Sequence, residues 1–205
     1  MSDAIIGLVL DRSGSMGFMW QDAVGGFNTF KNEQAETDGT AWLILNYFDN
    51  EVKQKYFAWD TKDIPDLGVT DKEIHPRGST ALIDATIKTI KDTDRWLSEN
   101  EWFTGKTFVV LITDGMENAS KTAPSVLKEL IQEKESAGWE FIYLAANVDT
   151  EATASQYGFD LSRSMTYDSN TVSAGYGTMS AAVTRSRVTG QAVEFDESER
   201  DVTRA

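Results

Sequence analysis

Apolar residues fall along this chain in two rhythms: short unbroken runs, and longer stretches in which they recur every three or four positions. Ile5 to Leu10 is almost wholly apolar between polar neighbours, which predicts a strand covered on both faces. From about Met16 to Gln34 the spacing is helical, with Val24, Phe27 and Phe30 on one face and Gly25-Gly26 weakening the helix while permitting close packing. Trp42 to Phe48 and Val52 to Trp59 predict two strands joined around Asp49-Asn50, a pair that tolerates the positive φ of a tight hairpin turn.

The alternation continues. Leu82, Ile83, Ile87, Ile90 and Leu97 mark a helix from about Thr80 to Ser98, and Thr107 to Ile112 is the next buried strand. Val126, Leu127, Leu130 and Ile131 mark a helix ending near Gly138, followed by a strand from Trp139 to Ala145 and a short helix to about Tyr157. Met165 and Thr166 predict a last short strand, and Val172, Tyr176, Met179 and Val183 a final helix before Gly190. Strands alternating with helices of this length imply an α/β fold, a mostly parallel sheet with helices on both faces. Residues 1–190 form the expected domain, and 191–205 a mostly polar, acidic tail, mobile or docked on the surface, with Phe195 among Glu194, Asp196, Glu197, Glu199 and Asp201.

Composition narrows the chemistry. The 205 residues carry 19 Lys and Arg against 33 Asp and Glu, a net charge of −14, which favours cations and repels phosphate backbones. Nucleic acid is therefore not an expected partner. The absence of cysteine excludes thiolate metal sites and cysteine nucleophiles. No basic n-region precedes the first strand and no apolar run approaches a membrane span, so the expectation is a cytoplasmic or intracellularly assembled protein with no membrane partner.

The candidate chemistry lies where strands end. Asp11-Arg12-Ser13-Gly14-Ser15 closes the first strand, Thr80 opens a helix after Gly78-Ser79, and Thr113-Asp114-Gly115 follows the strand at Thr107 to Ile112. In open α/β sheets ligands bind beyond the carboxyl ends of the strands, where the strand order reverses. Alternation along the first loop turns residues 11, 13 and 15 inward, with Gly14 relaxing the backbone. Each segment alone reads as readily as a helix cap or a turn. Together Asp11, Ser13, Ser15, Thr80 and Asp114 are an oxygen-only set that suits Mg²⁺, with Mn²⁺ or Ca²⁺ as alternatives, and not Zn²⁺. Their number leaves the cation's coordination open to a carboxylate from outside.

These five residues resemble the metal-ion-dependent adhesion site (MIDAS) of the von Willebrand factor type A (vWA) domains, a DxSxS motif with a distant Thr and a distant Asp, over roughly residues 3–167. The stretches Thr113-Asp114-Gly115-Met116-Glu117-Asn118-Ala119-Ser120 and Gly138-Trp139-Glu140-Phe141-Ile142-Tyr143-Leu144-Ala145-Ala146-Asn147 are also similar to a stand-alone bacterial and phage branch of that family. The resemblance implies a Rossmann-like doubly wound sheet of order 3-2-1-4-5-6 with one antiparallel edge strand. It implies a cation held directly by the serines and threonine, with the aspartates often acting through water. Integrin members hold a second cation through acidic residues after the motif; here Gly17-Phe18-Met19 follows, and no second site is expected.

Other chemistries lack their residues. Haloacid dehalogenase-like phosphotransfer needs a second Asp two positions after the first, where Ser13 stands. His75, the only histidine, has no nucleophile marked for it, and no glycine-rich phosphate loop follows a strand. Phe18 and Trp20 follow the first loop, as rim or as core; Trp96, Trp102 and Trp139 are assigned to core or helix packing, and Asn147 and Asp149, after a strand on the same sheet edge as the metal loops, are minor candidates for a peripheral place in the crevice. The expected function is non-enzymatic: a cation-dependent adhesion module whose protein partner presents an Asp or Glu. The alternatives are a structural component of a phage particle or bacterial stress-response complex with a mainly structural metal, self-association in which Glu194, Glu197 or Glu199 enters a neighbour's site, and, least, a metal-dependent hydrolase.

Overall fold

A computed structural model describes residues 2–146 and 149–202. Six strands, β1 (Ala4–Asp11), β2 (Ala41–Phe48), β3 (Val52–Asp60), β4 (Lys106–Thr113), β5 (Glu140–Ala146) and β6 (Ser164–Tyr167), form one sheet of order β3-β2-β1-β4-β5-β6. All neighbours are parallel except the β2–β3 hairpin at the edge. The expected α/β sheet, its strand order and its single antiparallel edge are thus the observed ones.

The sheet is sandwiched because its central strands are apolar on both sides. Ala4, Ile6, Leu8 and Leu10 of β1 join Phe108, Val110 and Ile112 of β4 in a core against α1 (Trp20–Glu36) and α5 (Val172–Thr189). On the opposite face Val9, Val109, Leu111, Phe141 and Tyr143 pack with α2 (Leu82–Glu99), α3 (Pro124–Ser136) and α4 (Thr150–Tyr157). β1 pairs with β2 on one side and β4 on the other, and Leu10 lies opposite Ile112, so β1 and β4 end level. The chain leaves them toward opposite faces, which opens a crevice between their two loops.

Several local expectations are corrected. The helix does not begin at Met16: a 3-10 turn spans Gly14–Phe18 and α1 starts at Trp20, because the first loop must curl back toward the crevice before a helix can run. The β2–β3 turn uses no positive φ at Asp49 or Asn50, and among the described residues the only non-glycine with positive φ is Ala58. Of the glycine pair in α1, Gly26 alone is at a close contact, with the Tyr176 ring 2.5 Å from where a Cβ would stand, while Gly25 faces open space. Trp102 is 61% exposed, touching Trp42, Trp96 and Phe103 with its edges and faces without being enclosed.

The tail segment is packed on the body as far as it is described. Val193 and Phe195 belong to the core under α1 and α5; the Val193 amide donates to Glu140 Oε2 at 2.5 Å and the Phe195 amide to the Ser162 carbonyl at 2.9 Å. A short helix α6 (Glu197–Val202) follows, tied by Arg185 to Glu199 at 2.8 Å. Among the described residues no helix is long and apolar enough to cross a membrane. Asn147 lies outside the described residues; Asp149 caps α4, accepting from the Ala152 amide at 3.0 Å.

Candidate metal centre

Asp11 is the last residue of β1 and fully buried. Its Oδ1 accepts from the Ser13 amide at 2.6 Å, which folds the loop over it, and its Oδ2 accepts from the Thr113 hydroxyl at 2.6 Å, which joins the ends of β1 and β4. Ser15 Oγ donates to Asp114 Oδ1 at 2.8 Å and lies 3.1 Å from Ser13 Oγ. A serine hydroxyl has one proton, so with Ser15 committed to Asp114 the Ser13 hydroxyl is the donor within the pair. The resulting chain, Ser13 to Ser15 to Asp114, spans the crevice.

Thr80 reaches the same place from the segment before α2. A Cβ built on Gly115 would lie 3.5 Å from Ser15 Oγ and 3.6 Å from Thr80 Oγ1, so the two hydroxyls flank the glycine after Asp114, where any side chain would crowd them. The Thr80 amide donates to Asn118 Oδ1 at 2.9 Å, and its carbonyl accepts from the amides of Asn118 and Ala119. Glu117 Oε2 accepts from the Ile83 amide at 3.0 Å and Ser120 Oγ from the Asp84 amide at 3.1 Å, satisfying donors that the first turn of α2 leaves open. All five residues expected in the site are thus brought to one crevice, Asp11, Ser13, Thr80 and Asp114 buried and Ser15 exposed at its mouth.

The electrostatics are those of crowded oxygen. Burial pushes the Asp11 carboxyl up to about 6 against the hydrogen bonds from Thr113 and Ser13, and the Asp114 charge adds to the rise. Burial raises Asp114 as well, with the Ser15 hydroxyl opposing. A cation placed among these groups would stabilise both carboxylates. The donor set fits a hard divalent ion: three hydroxyls and two carboxylates, with no nitrogen or sulfur. Among the described residues no three His, Cys, Asp or Glu side chains gather as a metal site of another kind, and His75 is exposed in a loop, its Nδ1 2.8 Å from the Lys72 carbonyl.

Residue types alone did not mark the supports of the site. Thr113 carries no chemical signal of its own in the sequence, yet its hydroxyl anchors Asp11 and its carbonyl accepts from Tyr167 at 3.1 Å. Glu117, Asn118 and Ser120 tie loop to helix, and Asp84 returns the tie by accepting from the amides of Lys121 at 2.8 Å and Thr122 at 3.2 Å. Their local signal is a run of short polar residues after a strand, which also describes any turn. Phe18 and Trp20 divide: Trp20 is core, whereas Phe18 is 98% exposed beside the first loop, and Met116, next to Gly115, is 67% exposed on the other side.

No family model matches the chain, and no curated protein sequence does. Solved structures do match. The chain is similar to proximal thread matrix protein 1 from the mussel byssus, with a TM-score of 0.67 and 16% identity over 89% of this chain and 46% of that one. It thus spans about half the length of the mussel protein, of which another structure has a zinc-occupied MIDAS motif. The vWF domain of the type V pili tip protein Mfa5 from Porphyromonas gingivalis aligns over 95% of this chain and 98% of that one, with a TM-score of 0.63 and 11% identity. Manganese-loaded TRAP protein of Plasmodium vivax aligns over 84% and 70%, with a TM-score of 0.59 and 17% identity. At these identities the likeness establishes the architecture: the chain has the α/β fold of the von Willebrand factor type A domains.

Proposed function

We propose that the chain is a divalent-cation-dependent protein-binding module of the adhesion type, in which an Asp or Glu of a protein partner completes the coordination of a cation held in the crevice. The observation that carries this reading is the hydrogen-bonded chain from Ser13 through Ser15 to Asp114, which joins loops from two strands around oxygen atoms alone. Ser13, Ser15 and Thr80 would hold the ion through their hydroxyls. Asp11, with both oxygens already accepting from Ser13 and Thr113, would orient the loop and balance charge from behind, and Asp114 would do so from the other strand. Mg²⁺, or Mn²⁺ or Ca²⁺ in its place, supplies a hard Lewis-acidic point with room for one more carboxylate.

The surroundings favour binding over chemistry. Among the described residues none beside the crevice is a partnered general base, and the sole histidine lies elsewhere. Phe18, three residues after Ser15, and Met116, two residues after Asp114, are exposed apolar side chains, which suits a protein contact and gives no benefit to a metal serving only to brace loops. The partner class is a protein with an accessible acidic residue, and a multi-subunit assembly is a natural setting.

The test is capture of partner proteins on the immobilised chain in Mg²⁺, elution with chelator, and repetition with Asp11→Ala. Specific proteins released by chelator from the wild type and absent from the variant support the reading. Equal retention in excess chelator, or on a folded Asp11→Ala chain, overturns it.

A further inference from the structure

The loop that delivers Thr80 is long. After the turn at Thr61–Asp63 the chain runs from 64 to 81 without a regular element before α2 begins. Unstructured connections beyond roughly 12–15 residues are uncommon in compact domains and need ties of their own to hold a shape. Ile64, Leu67 and Ile74 anchor the middle of this one in the core. Its final residues, which must place one hydroxyl, are held by a different device.

That device centres on Asp49, in the β2–β3 turn and 0% exposed. Asp49 Oδ2 lies 3.0 Å from Arg12 Nη2 and accepts from Arg77 Nε at 2.7 Å, so one carboxylate oxygen faces two guanidinium groups. Oδ1 accepts from the Glu51 amide at 2.7 Å, and the Asp49 carbonyl accepts from the Ala81 amide at 2.8 Å. Arg12, 1% exposed, sits between Asp11 and Ser13 in the first loop. Its carbonyl accepts from the Arg77 amide at 2.8 Å, its guanidinium lies 4.6 Å from the centre of the Tyr47 ring, and its Nη1 donates to the Glu73 carbonyl. The Gly14 amide donates to the Gly78 carbonyl at 3.2 Å.

Two of these ties, Arg77 amide to Arg12 carbonyl and Gly14 amide to Gly78 carbonyl, join the loop that carries Ser13 and Ser15 directly to the residues before Thr80, and Asp49 links the same two segments through Arg12, Arg77 and Ala81. Arg77 is three residues ahead of Thr80 and Ala81 is the next residue after it, and Asp49 grips both. A buried guanidinium without a counter-ion is strongly unfavourable, so Arg12 cannot keep its inward position unless the carboxylate is there. We propose that Asp49 is a positioning residue for the cation site: by drawing Arg12 and Arg77 onto one buried carboxylate it holds the Thr80 hydroxyl against Ser13 and Ser15, and so sets the affinity for the ion. This rests on the cation reading given above. The arrangement also makes Arg77, half-exposed at the rim, the outer handle of the same clamp.

The experiment uses the full chain and Mn²⁺ alone as probe, with free Mn²⁺ followed by electron paramagnetic resonance. Asp49→Asn removes the carboxylate charge, and Arg77→Gln removes the outer, half-exposed guanidinium while leaving Arg12 paired with Asp49. Affinity for Mn²⁺ falls about 10- to 100-fold in each, the range typical of residues that orient metal ligands. Asp49→Glu recovers part of the loss. Glu51→Gln, which removes a second and exposed partner of Arg77, leaves affinity unchanged. In the metal-free chain, amide exchange at Arg77 and Ala81 quickens in Arg77→Gln while that of β4 and the melting temperature hold, a separation that a general loss of stability would not produce. If Asp49→Asn does not fold, Arg77→Gln decides. Wild-type binding with equal affinity in Arg77→Gln overturns the positioning role and leaves the cation site standing; a wild-type chain that binds no Mn²⁺ overturns both.

Discussion

Ser15 Oγ donates to Asp114 Oδ1 across 2.8 Å although the two residues stand 99 positions apart in the chain. The contact exists because β1 and β4 are adjacent parallel strands that end level, so that residues just past each end face one another over the crevice. One step behind, the Thr113 hydroxyl makes the same crossing to Asp11 Oδ2. The candidate centre is therefore held by two parallel cross-links, one at its mouth and one at its floor.

The floor can be tested separately from the ligands. Thr113→Val keeps shape and removes the hydroxyl, leaving Asp11 Oδ2 buried without its donor. Affinity for Mn²⁺ is expected to fall about 10- to 100-fold, as for other groups that orient a metal ligand. Stability should drop by about 1–3 kcal/mol, the cost of leaving a buried acceptor unsatisfied. Calorimetric titration and denaturant melts measure the two effects; an unchanged affinity would remove Thr113 from the site.

Phe18 offers a test at the mouth. Its side chain is exposed and packs on nothing, so Phe18→Ser is expected to leave both melting temperature and Mn²⁺ titration unchanged. Capture of the chelator-released partner should weaken by about 2 kcal/mol, on the order of 30-fold, if the aromatic ring is an anchor of the contact. Undiminished capture would place the partner's footprint elsewhere.

Neighbouring glycines in α1 should respond with opposite signs. Gly26→Ala drives a methyl into the Tyr176 ring, 2.5 Å away, and prises α1 from α5 at a cost of about 1–3 kcal/mol. Gly25→Ala adds a methyl in open space and restricts the unfolded chain, which stabilises by about 0.5–1 kcal/mol. Equilibrium unfolding in urea distinguishes them, and a destabilised Gly25→Ala would contradict the packing described.

Asp84 gives a pH dependence away from the cation ligands. Burial raises its carboxyl, but the Thr122 side chain and the amides of Lys121 and Thr122 outweigh that and hold it below its ordinary value of 3.8. A group depressed in the folded state contributes stability that is complete above its unfolded value and is lost as pH falls through the folded value. The stability difference between wild type and Asp84→Asn should thus be constant near neutrality and shrink below about pH 4. Urea melts across that range check it; a difference that grows in acid would reverse the sign.

Much of this architecture is written in local patterns. β1, β4 and β5 are recognisable because burial on both faces demands continuous apolar runs, and the Ser-Gly-Ser loop because it follows such a run directly. What escaped were relationships set by tertiary charge. Asp49 reads as a turn residue, as its type suggests, yet its carboxylate is turned into the protein by Arg12 and Arg77, which no local window connects to it. Phe18 and Trp20, two positions apart, read alike and were separated only by where the 3-10 turn releases the chain into α1. Val193 and Phe195 are too sparse among acidic neighbours to signal a buried strip, although they fill the core beneath α5.

The inward course of Arg12 bears on protein engineering. Residues 11, 13 and 15 face the crevice while residue 12 enters the body and meets Asp49. Transplanting the five-residue loop onto another scaffold would therefore import a guanidinium with no counter-ion waiting, and the graft would fold poorly before any ion arrived. The loop can be transferred only together with the β2–β3 turn, because the carboxylate that neutralises Arg12 comes from there.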